Sequence, residues 1–356
     1  MPTLEIDRNN PVCVTGATGY VAGWIVKRLL DEGLTVHATV RDPNNEKKLA
    51  HLREAESGAP GTLKFFAADL LKPGSFHEAV EGCSVVFHTA SPFKVTVEDA
   101  QKDLVDPAVN GTRNVLDAVN ASDSVTRVVL TSSCAAIYGD NADLQQTPRG
   151  LFDEEVWNTS SSLEHQPYSY SKTKAERAAW EVADAQSRWR LVVVNPSLVM
   201  GPGLKVHGAS ESFNIIRQMG DGTMKSGVPD MGFGVVDVRD LAEAHLRAAF
   251  VPEAEGRHVI SGHDTSFPHM AKQLLPKYGS RYPIPKRTLP KWAVWLFGPM
   301  MNDALNRKVI SLNVGHPFRA DNSKSKSSLG MEYRSLSETM NDFFAQLVEL
   351  GEVKAA

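Results

Sequence analysis

The sequence predicts an α/β protein built on a doubly wound parallel sheet. Three observations carry that prediction. Short apolar strands alternate with longer amphipathic segments through the first half of the chain. A glycine-bearing strand-to-helix turn, Val12-Cys13-Val14-Thr15-Gly16-Ala17-Thr18-Gly19-Tyr20, opens the series. After Pro196 the rhythm degrades and Gly, Pro and Met become frequent, which marks a second, smaller lobe.

Candidate strands are Val12–Thr15, Thr35–Val40, Leu63–Ala67, Val85–Thr89, Arg127–Thr131 and Leu191–Asn195. Rich in Val, Leu and Phe, they are expected to be buried on both faces. The intervening helices are Tyr20–Glu32, stopped by Gly33, then Glu46–Glu56, Ser75–Glu81, Glu98–Asn120 and Tyr168–Ser187. Two more follow near Asp240–Phe250 and Ser335–Leu350, giving a mostly helical C-terminal lobe. Alternating Ser and Lys over Asn322–Ser328 reads as a surface loop, and Trp292–Phe297 as one face of a helix packing onto the body of the protein.

Bulk properties narrow the classes. At 356 residues the chain can bury a large core in one or two closely coupled domains. Hydrophobic content of 42% and charged content of 22% are ordinary for a globular protein. With 38 Lys+Arg against 42 Asp+Glu the net charge is −4, which argues against nucleic acid or a membrane as partner. Cys13, Cys83 and Cys134 are odd in number and scattered, as expected of reduced thiols. Met1 to Asn10 lacks an apolar signal region, so a cytoplasmic location is expected. The eleven histidines show no metal-ligand spacing.

Gly16-x-x-Gly19 at a strand-to-helix turn lets backbone approach a pyrophosphate, with the helix from Tyr20 aiming its N-terminal N–H groups at it. The steric alternative is that such junctions need glycine anyway. Ala22 stands where a third glycine is usual, and is small enough to keep helix and strand close. Thr15, Gly16, Thr18, Gly19 and Tyr20 are therefore the first candidate cofactor residues. At the tip of the second strand an NAD site usually carries an acid; here Arg41 stands, with Lys48 close behind. Two cations there suit a 2′-phosphate, hence NADP (NADPH), against the alternative of a solvated arginine beside a capping Asp42. Asp69-Leu70 is placed to meet adenine, or to cap the next segment. Thr89, Ala90 and Ser91 follow the fourth strand, where small residues suit close approach to the cofactor; His88 reads as a satisfied interior histidine. The cofactor domain is then 1–196 plus about 234–260, and the substrate lobe about 197–233 and 261–356.

A reduced carbonyl needs a proton and a hydrogen bond for its developing alkoxide. Tyrosine, with an unperturbed pKa of about 10, needs a nearby ammonium to do this near neutrality. Tyr168 and Lys172 at i and i+4 share a helix face, and Ser133 at the fifth strand's tip supplies a hydroxyl. Tyr170 and Lys174 have the same spacing, and spacing alone does not choose between the pairs.

Thr15-Gly-Ala-Thr-Gly-Tyr20, Phe87-His-Thr-Ala-Ser-Pro-Phe93, Pro107-Ala-Val-Asn-Gly-Thr112, Thr131-Ser-Ser133, Tyr168-Ser-Tyr-Ser-Lys172 and Asn195-Pro-Ser-Leu-Val-Met-Gly-Pro202 together resemble the extended short-chain dehydrogenase/reductases, with a Rossmann-type fold. Within them the chain is most similar to the dihydroflavonol reductase, cinnamoyl-CoA reductase and microbial aldehyde (ketone) reductase group, strongly to about residue 250 and thinly beyond. That group's Tyr-x-x-Ser-Lys-x-x-Ala-Glu register falls on Tyr168, Ser171, Lys172, Ala175 and Glu176. The resemblance implies Ser133, Tyr168 and Lys172 as the catalytic set, with Asn110 in support. It implies Arg41 and Lys48 at a 2′-phosphate, and Pro196 and Ser197 beside the nicotinamide. Tyr138 stands where plant flavonoid reductases carry Asn or Asp, and Ile137-Tyr138-Gly139 is similar to nucleotide-sugar epimerases.

The leading expectation is NADPH-dependent reduction of an aldehyde or ketone. Phe93, Ile137, Tyr138, Met200, Phe213 and Met231 are candidate substrate residues, set against the reading that several belong to an interlobe core. Alternatives are an NAD(P)-dependent nucleotide-sugar epimerase/dehydratase, a 3β-hydroxysteroid-type dehydrogenase, or a non-catalytic NADP sensor. Cys134 has no His/Asp partner pattern and is assigned no catalytic role. Asp237 and Asp240 are read as capping and bracing a helix. The expected partner is a small-molecule carbonyl compound, and the expected state a monomer or homodimer.

Overall fold

The computed structural model describes residues 2–91, 97–208, 210–301 and 305–355. Its strands are β1 (Val12–Val14), β2 (Thr35–Val40), β3 (Thr62–Ala67), β4 (Val85–His88), β5 (Arg127–Thr131) and β6 (Arg190–Pro196), then β7 (Leu198–Met200), β8 (Val228–Pro229), β9 (Gly232–Asp237), β10 (Gly256–Ile260), β11 (His263–Ser266) and β12 (Thr288–Leu289). The helices of the first half are α1 (Tyr20–Asp31), α2 (Glu46–Ser57), α3 (His77–Val80), α4 (Asp106–Ala121) and α5 (Pro167–Asp184). The remainder are α6 (Glu211–Gly220), α7 (Val238–Phe250), α8 (Phe267–Tyr278), α9 (Lys291–Met301), α10 (Arg307–Asn313), α11 (Ser323–Ser328) and α12 (Leu336–Glu349).

Seven strands form one parallel sheet in the order β10–β6–β5–β4–β1–β2–β3. The chain winds one way through β1, β2 and β3 and the other way through β4, β5 and β6. The reversal between β1 and β4 opens a crevice beyond their carboxyl ends. Register brings the tips level: Val14 lies opposite Ala38 and Phe87, His88 opposite Leu130, and Thr131 opposite Val194. Thr15, Thr89, Ser132, Ser133 and Asn195 therefore emerge along one edge.

Alternation of side chains divides the sheet's two cores. Val12 and Val14 face Ile25, Leu29 and Leu30 of α1 and Leu241 and Ala248 of α7. Cys13 faces the other way, toward Val115 and Val119 of α4 and Ala179 of α5. The edge strand β3 departs from burial on both faces: Thr62, Lys64 and Ala67 are exposed, with β2 its one neighbour in the sheet. Arg127 at the start of β5 is buried and donates to the carbonyls of Ala248, Ala249, Val251 and Pro252, capping the carboxyl end of α7.

The C-terminal lobe is mostly helical around Met200, Phe213, Ile216, Met270, Leu274, Met340, Phe343 and Phe344. It also holds two small sheets, β11–β9–β7 and β12–β8, whose strands are short, with Gly232 and Gly234 inside β9, and give weak periodic signals. Two sequence expectations fail here. Asn322–Ser328 is not a surface loop but contains α11, with Ser325 fully buried and bonded to Tyr333 Oη at 2.8 Å. Serine hydroxyls there turn back onto the helix's own carbonyls, and Lys324 reaches the carbonyls of Glu255 and Arg257. The Trp292–Phe297 segment is helical, but its aromatic rings stay exposed and only Val294 packs inward.

Burial holds several histidines neutral. It lowers the pKa of His245 to about 4, and that of His258 to about 3 with the Lys324 charge adding to it. His245 Nδ1 donates to Leu241 O, and Nε2 accepts from Thr131 Oγ1 at 2.7 Å. The unfolded chain binds these protons near pH 6.5 and the folded chain only near 3 to 4. Their contribution to stability is therefore full above that range and lost as the pH falls. The melting temperature is expected to be level near neutrality and to drop steadily from about pH 6.5 to 4; a flat profile would show that these groups do not control acid stability.

Candidate active site

Thr15, at the tip of β1, organises the turn. Its backbone N–H donates to Phe87 O at 3.0 Å, and its Oγ1 accepts from the N–H groups of Thr89 and Ala90 at 3.1 and 3.0 Å. The hydroxyl proton is then directed to His88 Nδ1, 3.1 Å away. That bond needs a neutral ring. Burial, with the Lys172 ammonium adding to it, lowers the His88 pKa to about 3. His88 is thus an interior acceptor, as its place before the strand tip implies.

Gly16 has φ +66°, and a Cβ there would come 3.1 Å from Ala90 Cα and Cβ. The turn and the β4 tip are locked closer together than a side chain permits. This leaves a backbone-floored groove ahead of α1, whose first N–H groups open onto it. Thr18 and Gly19 are half-buried at its tip. The Tyr20 ring leaves the groove: its hydroxyl donates to Gly201 O, and the ring packs against Phe213 and Phe343. Its backbone N–H remains at the helix start.

Arg41 and Lys48 are both exposed, and neither pairs with a carboxylate among the described residues. A third cation, which sequence reading missed, joins them from the other lobe. Lys205 Nζ donates to Lys48 O at 3.4 Å, and burial together with the Lys48 charge lowers its pKa. Beneath them Leu204 and the buried His51 close over Gly23, and neither His51 ring nitrogen has a hydrogen-bond partner among the described residues. Lys48 and Lys205 converge, Arg41 stands at the β2 tip, and none of the three pairs with a carboxylate among the described residues. That is the environment a phosphate dianion needs. The Asp69 carboxylate accepts from Leu71 N–H at 2.9 Å, so it caps its own turn, while Leu70 packs against Gly111.

On the far side of the crevice, Tyr168 and Lys172 lie on the first turns of α5. Tyr168 is 53% exposed. Lys172 Nζ lies 5.9 Å from the Tyr168 ring centroid and donates to Ser91 Oγ at 3.2 Å. Ser133 caps the short turn Cys134–Ala136, which packs on α5. Its Oγ accepts from Ala135 N–H at 3.1 Å, leaving its proton free to donate elsewhere. Lys174 lies 5.1 Å from Tyr170, so the second Tyr/Lys pair also forms and geometry alone does not rank them. The pair's neighbours do: it is Lys172, not Lys174, that meets the β4 loop.

Glu176, one turn beyond Lys172, is buried and accepts from Ser132 Oγ, from Asn195 Nδ2 at 2.8 Å and from Arg257 Nε at 2.6 Å. Arg257 also donates to Glu154 O and Val156 O and stacks on Trp157 at 4.0 Å. Just before α5, buried His165 bonds Asp140 at 2.6 Å, and Asn313 Nδ2 donates to the same carboxylate at 2.6 Å. These positioning groups carried no motif signal, except Glu176 through its register with Tyr168.

Asn110 is exposed, whereas its neighbours Ala108, Gly111 and Thr112 face the space under Lys172. Ser197 directs its N–H to Ile260 O at 3.1 Å. Pro196, paired with Ile260, ends β6 beside it. Ile137, Met200 and Phe213 are fully buried core residues, as their apolarity equally allowed. Met231 packs with Val294 and Ile310. Tyr138 stacks on Phe152 at 4.4 Å, with burial raising its hydroxyl pKa. Phe93 lies outside the described residues. Cys134 donates to Asn195 O, and burial pushes its thiol up to about 12, so it is no nucleophile. Asp237 caps α7 through Arg239 N–H at 2.8 Å, and Asp240 pairs with Arg334.

The sequence profile of the NAD dependent epimerase/dehydratase family matches residues 12–261. The chain belongs to this family. Among similar members, tetraketide alpha-pyrone reductase 1 of Arabidopsis thaliana is 37% identical over 343 residues, covering 96% of each chain. Cinnamoyl-CoA reductase CAD2 of Medicago truncatula is 42% identical over 277 residues, 76% of this chain and 82% of that protein. Yeast methylglyoxal/isovaleraldehyde reductase Gre2, solved with NADPH, superposes with a TM-score of 0.76 at 29% identity, over 96% of this chain and all of that one. As an extended short-chain dehydrogenase/reductase, the chain has the family's parallel sheet with flanking helices.

The Glu176–Arg257 pair gives this site's sharpest stability prediction. Arg257→Leu strands a buried carboxylate and is expected to cost about 3–5 kcal/mol. Urea unfolding of the two proteins would measure it, and a loss below about 1 kcal/mol would show that Glu176 does not depend on its partner.

Proposed function

We propose that this chain is an NADPH-dependent carbonyl reductase that converts an aldehyde or ketone to the alcohol. The observation that carries this reading is the placement of Lys172 between the Tyr168 ring and Ser91, at the crevice where the sheet reverses. The Gly16–Gly19 groove and the unneutralised Arg41, Lys48 and Lys205 fit a dinucleotide bearing a 2′-phosphate, and the relatives reported above are reductases. A sugar-nucleotide epimerase that held NAD would favour an acid where Arg41 stands.

In this reading the cofactor domain spans 1–196 and about 234–260. The N–H groups of Gly16, Ala17 and Gly19 are engaged within the protein, so those of Thr18 and Tyr20 bind the pyrophosphate, and Arg41, Lys48 and Lys205 the 2′-phosphate. Thr89, Ala90 and Ser91 form the wall of the groove, with Leu70 beyond. NADPH supplies the hydride when bound. Ser133 donates a hydrogen bond to the substrate oxygen. Tyr168 delivers the proton to that oxygen as its negative charge develops. The Lys172 ammonium, 5.9 Å from the ring centroid, offsets the negative charge that this leaves on Tyr168. With Ile137, Met200 and Phe213 in the core, Tyr138 and Phe93 are the aromatic candidates left for contact with an apolar or aromatic substituent.

The test is a 340 nm assay with NADPH and NADH separately, against aryl aldehydes, ketoesters, diketones and a dihydroflavonol. NADPH turnover is expected, and Tyr168→Phe should lower kcat by about 10²–10⁴-fold. Silence with every carbonyl would overturn the reductase reading. Lys205→Met should raise KM for NADPH roughly tenfold while leaving NADH turnover and kcat nearly unchanged. An equal effect on both cofactors would remove Lys205 from the phosphate site.

A further inference from the structure

Helix α9 places Trp292, Trp295, Leu296 and Met300 at i, i+3, i+4 and i+8, on one face. That face stands in solvent: Met300 is 84% and Trp292 68% exposed, and Trp295, Leu296 and the adjoining Phe297 lie between 40% and 51%. The opposite side is the narrow one that docks. Val294 is buried with Ile310 and Val314, and a Cβ on Gly298 would come 3.0 Å from Ile310. Helix α10 packs on α9 from that side, and its Asn313 reaches Asp140 beside the catalytic helix. The exposed stripe therefore lies on the side of α9 away from α10.

Positive charge flanks the stripe on both sides along the chain. Lys286, Arg287 and Lys291 precede it, and Arg307 and Lys308 follow; all five are exposed. Between residues 284 and 311 the only acid in the sequence is Asp303, although the whole chain carries a net charge of −4. Arg307 lies over the Trp295 ring at 4.6 Å. An apolar stripe with tryptophans, bordered by cations, matches the two layers of a lipid interface, acyl chains below and anionic headgroups above.

We propose that α9 is an interfacial helix that docks this chain on an anionic lipid surface. Trp292, Trp295, Leu296, Phe297 and Met300 enter the headgroup–acyl boundary, and the flanking cations meet lipid phosphates and carboxylates. No helix among the described residues is long and apolar enough to cross a membrane, so α9 lies in the plane of the surface. A second copy of the chain is the poorer occupant, because a two-fold contact here sets each group of flanking cations against its own image. The expectation of no membrane partner rested on net charge, which averages this patch away.

The test uses the full chain with vesicles of phosphatidylcholine alone, or with about 30% phosphatidylserine. Co-sedimentation is expected to be at least about tenfold greater with the anionic vesicles, and to weaken in about 0.5 M salt. Tryptophan emission should be quenched by brominated acyl chains. Trp292→Glu with Leu296→Glu should lower binding about tenfold, and the surface pair Lys286→Glu with Arg287→Glu should lower it without touching the apolar stripe. Circular dichroism would verify that both variants remain folded. Failure to bind anionic vesicles, equal binding to neutral ones, or binding unchanged in both variants would overturn the proposal. So would a concentration-dependent dimer without vesicle binding. None of these readouts depends on the proposed reaction.

Discussion

One buried ion pair holds the catalytic edge together. Glu176 and Arg257 lie in an almost water-free interior, where either charge alone would be costly. Their hydrogen bonds define where five segments sit. Glu176 holds helix α5 to the β5 tip through Ser132 and to β6 through Asn195, and Arg257 holds β10 to the 154–157 loop. Asn195 in turn donates to Ser133 O, so the backbone of the candidate catalytic serine depends on the same carboxylate. Tyr168 and Lys172 are two turns and one turn before Glu176 on a rigid helix. Anchoring that one residue orients the whole proposed set.

The start of α5 is tied down separately. Gln166 adopts a left-handed backbone, φ +54°, which a glutamine holds only where its surroundings compel it. Asp140 lies beside it, accepting from Gln166 Nε2 at 3.4 Å and binding His165 on one side and Asn313 on the other. Asn313 belongs to the C-terminal lobe, so lobe placement and the orientation of the Tyr168 turn are set by one carboxylate. On the opposite side of the crevice, Tyr20 and Trp24 of α1 donate to Gly201 O and Pro202 O, the chain that leads to Lys205. Each end of the crevice is thus spanned by hydrogen bonds between lobes.

How much of this was legible follows from the reach of each signal. The six leading strands and the long helices were readable because burial on both faces leaves continuous apolar runs, and helical faces leave a 3.6-residue period. Asn322–Ser328 was misread because its stability comes from lysine and serine bonds to backbone, which carry no hydrophobic pattern. Ile137, Met200 and Phe213 illustrate a related limit. Their apolarity predicts burial equally well in a pocket wall or a core, and only packing distinguishes the two.

The sequence by itself determined the parallel sheet, the glycine turn, the Arg41 and Lys48 charges and the Tyr168–Lys172 spacing, because each depends on residues close along the chain. Tertiary structure alone decided the rest. Lys205 reaches Lys48 across 157 positions, Arg257 reaches Glu176 across 81, and Asn313 reaches Asp140 across 173. Such pairings have no local periodicity to betray them. They exist because buried charges and polar groups need partners, and the fold determines which partners are within reach.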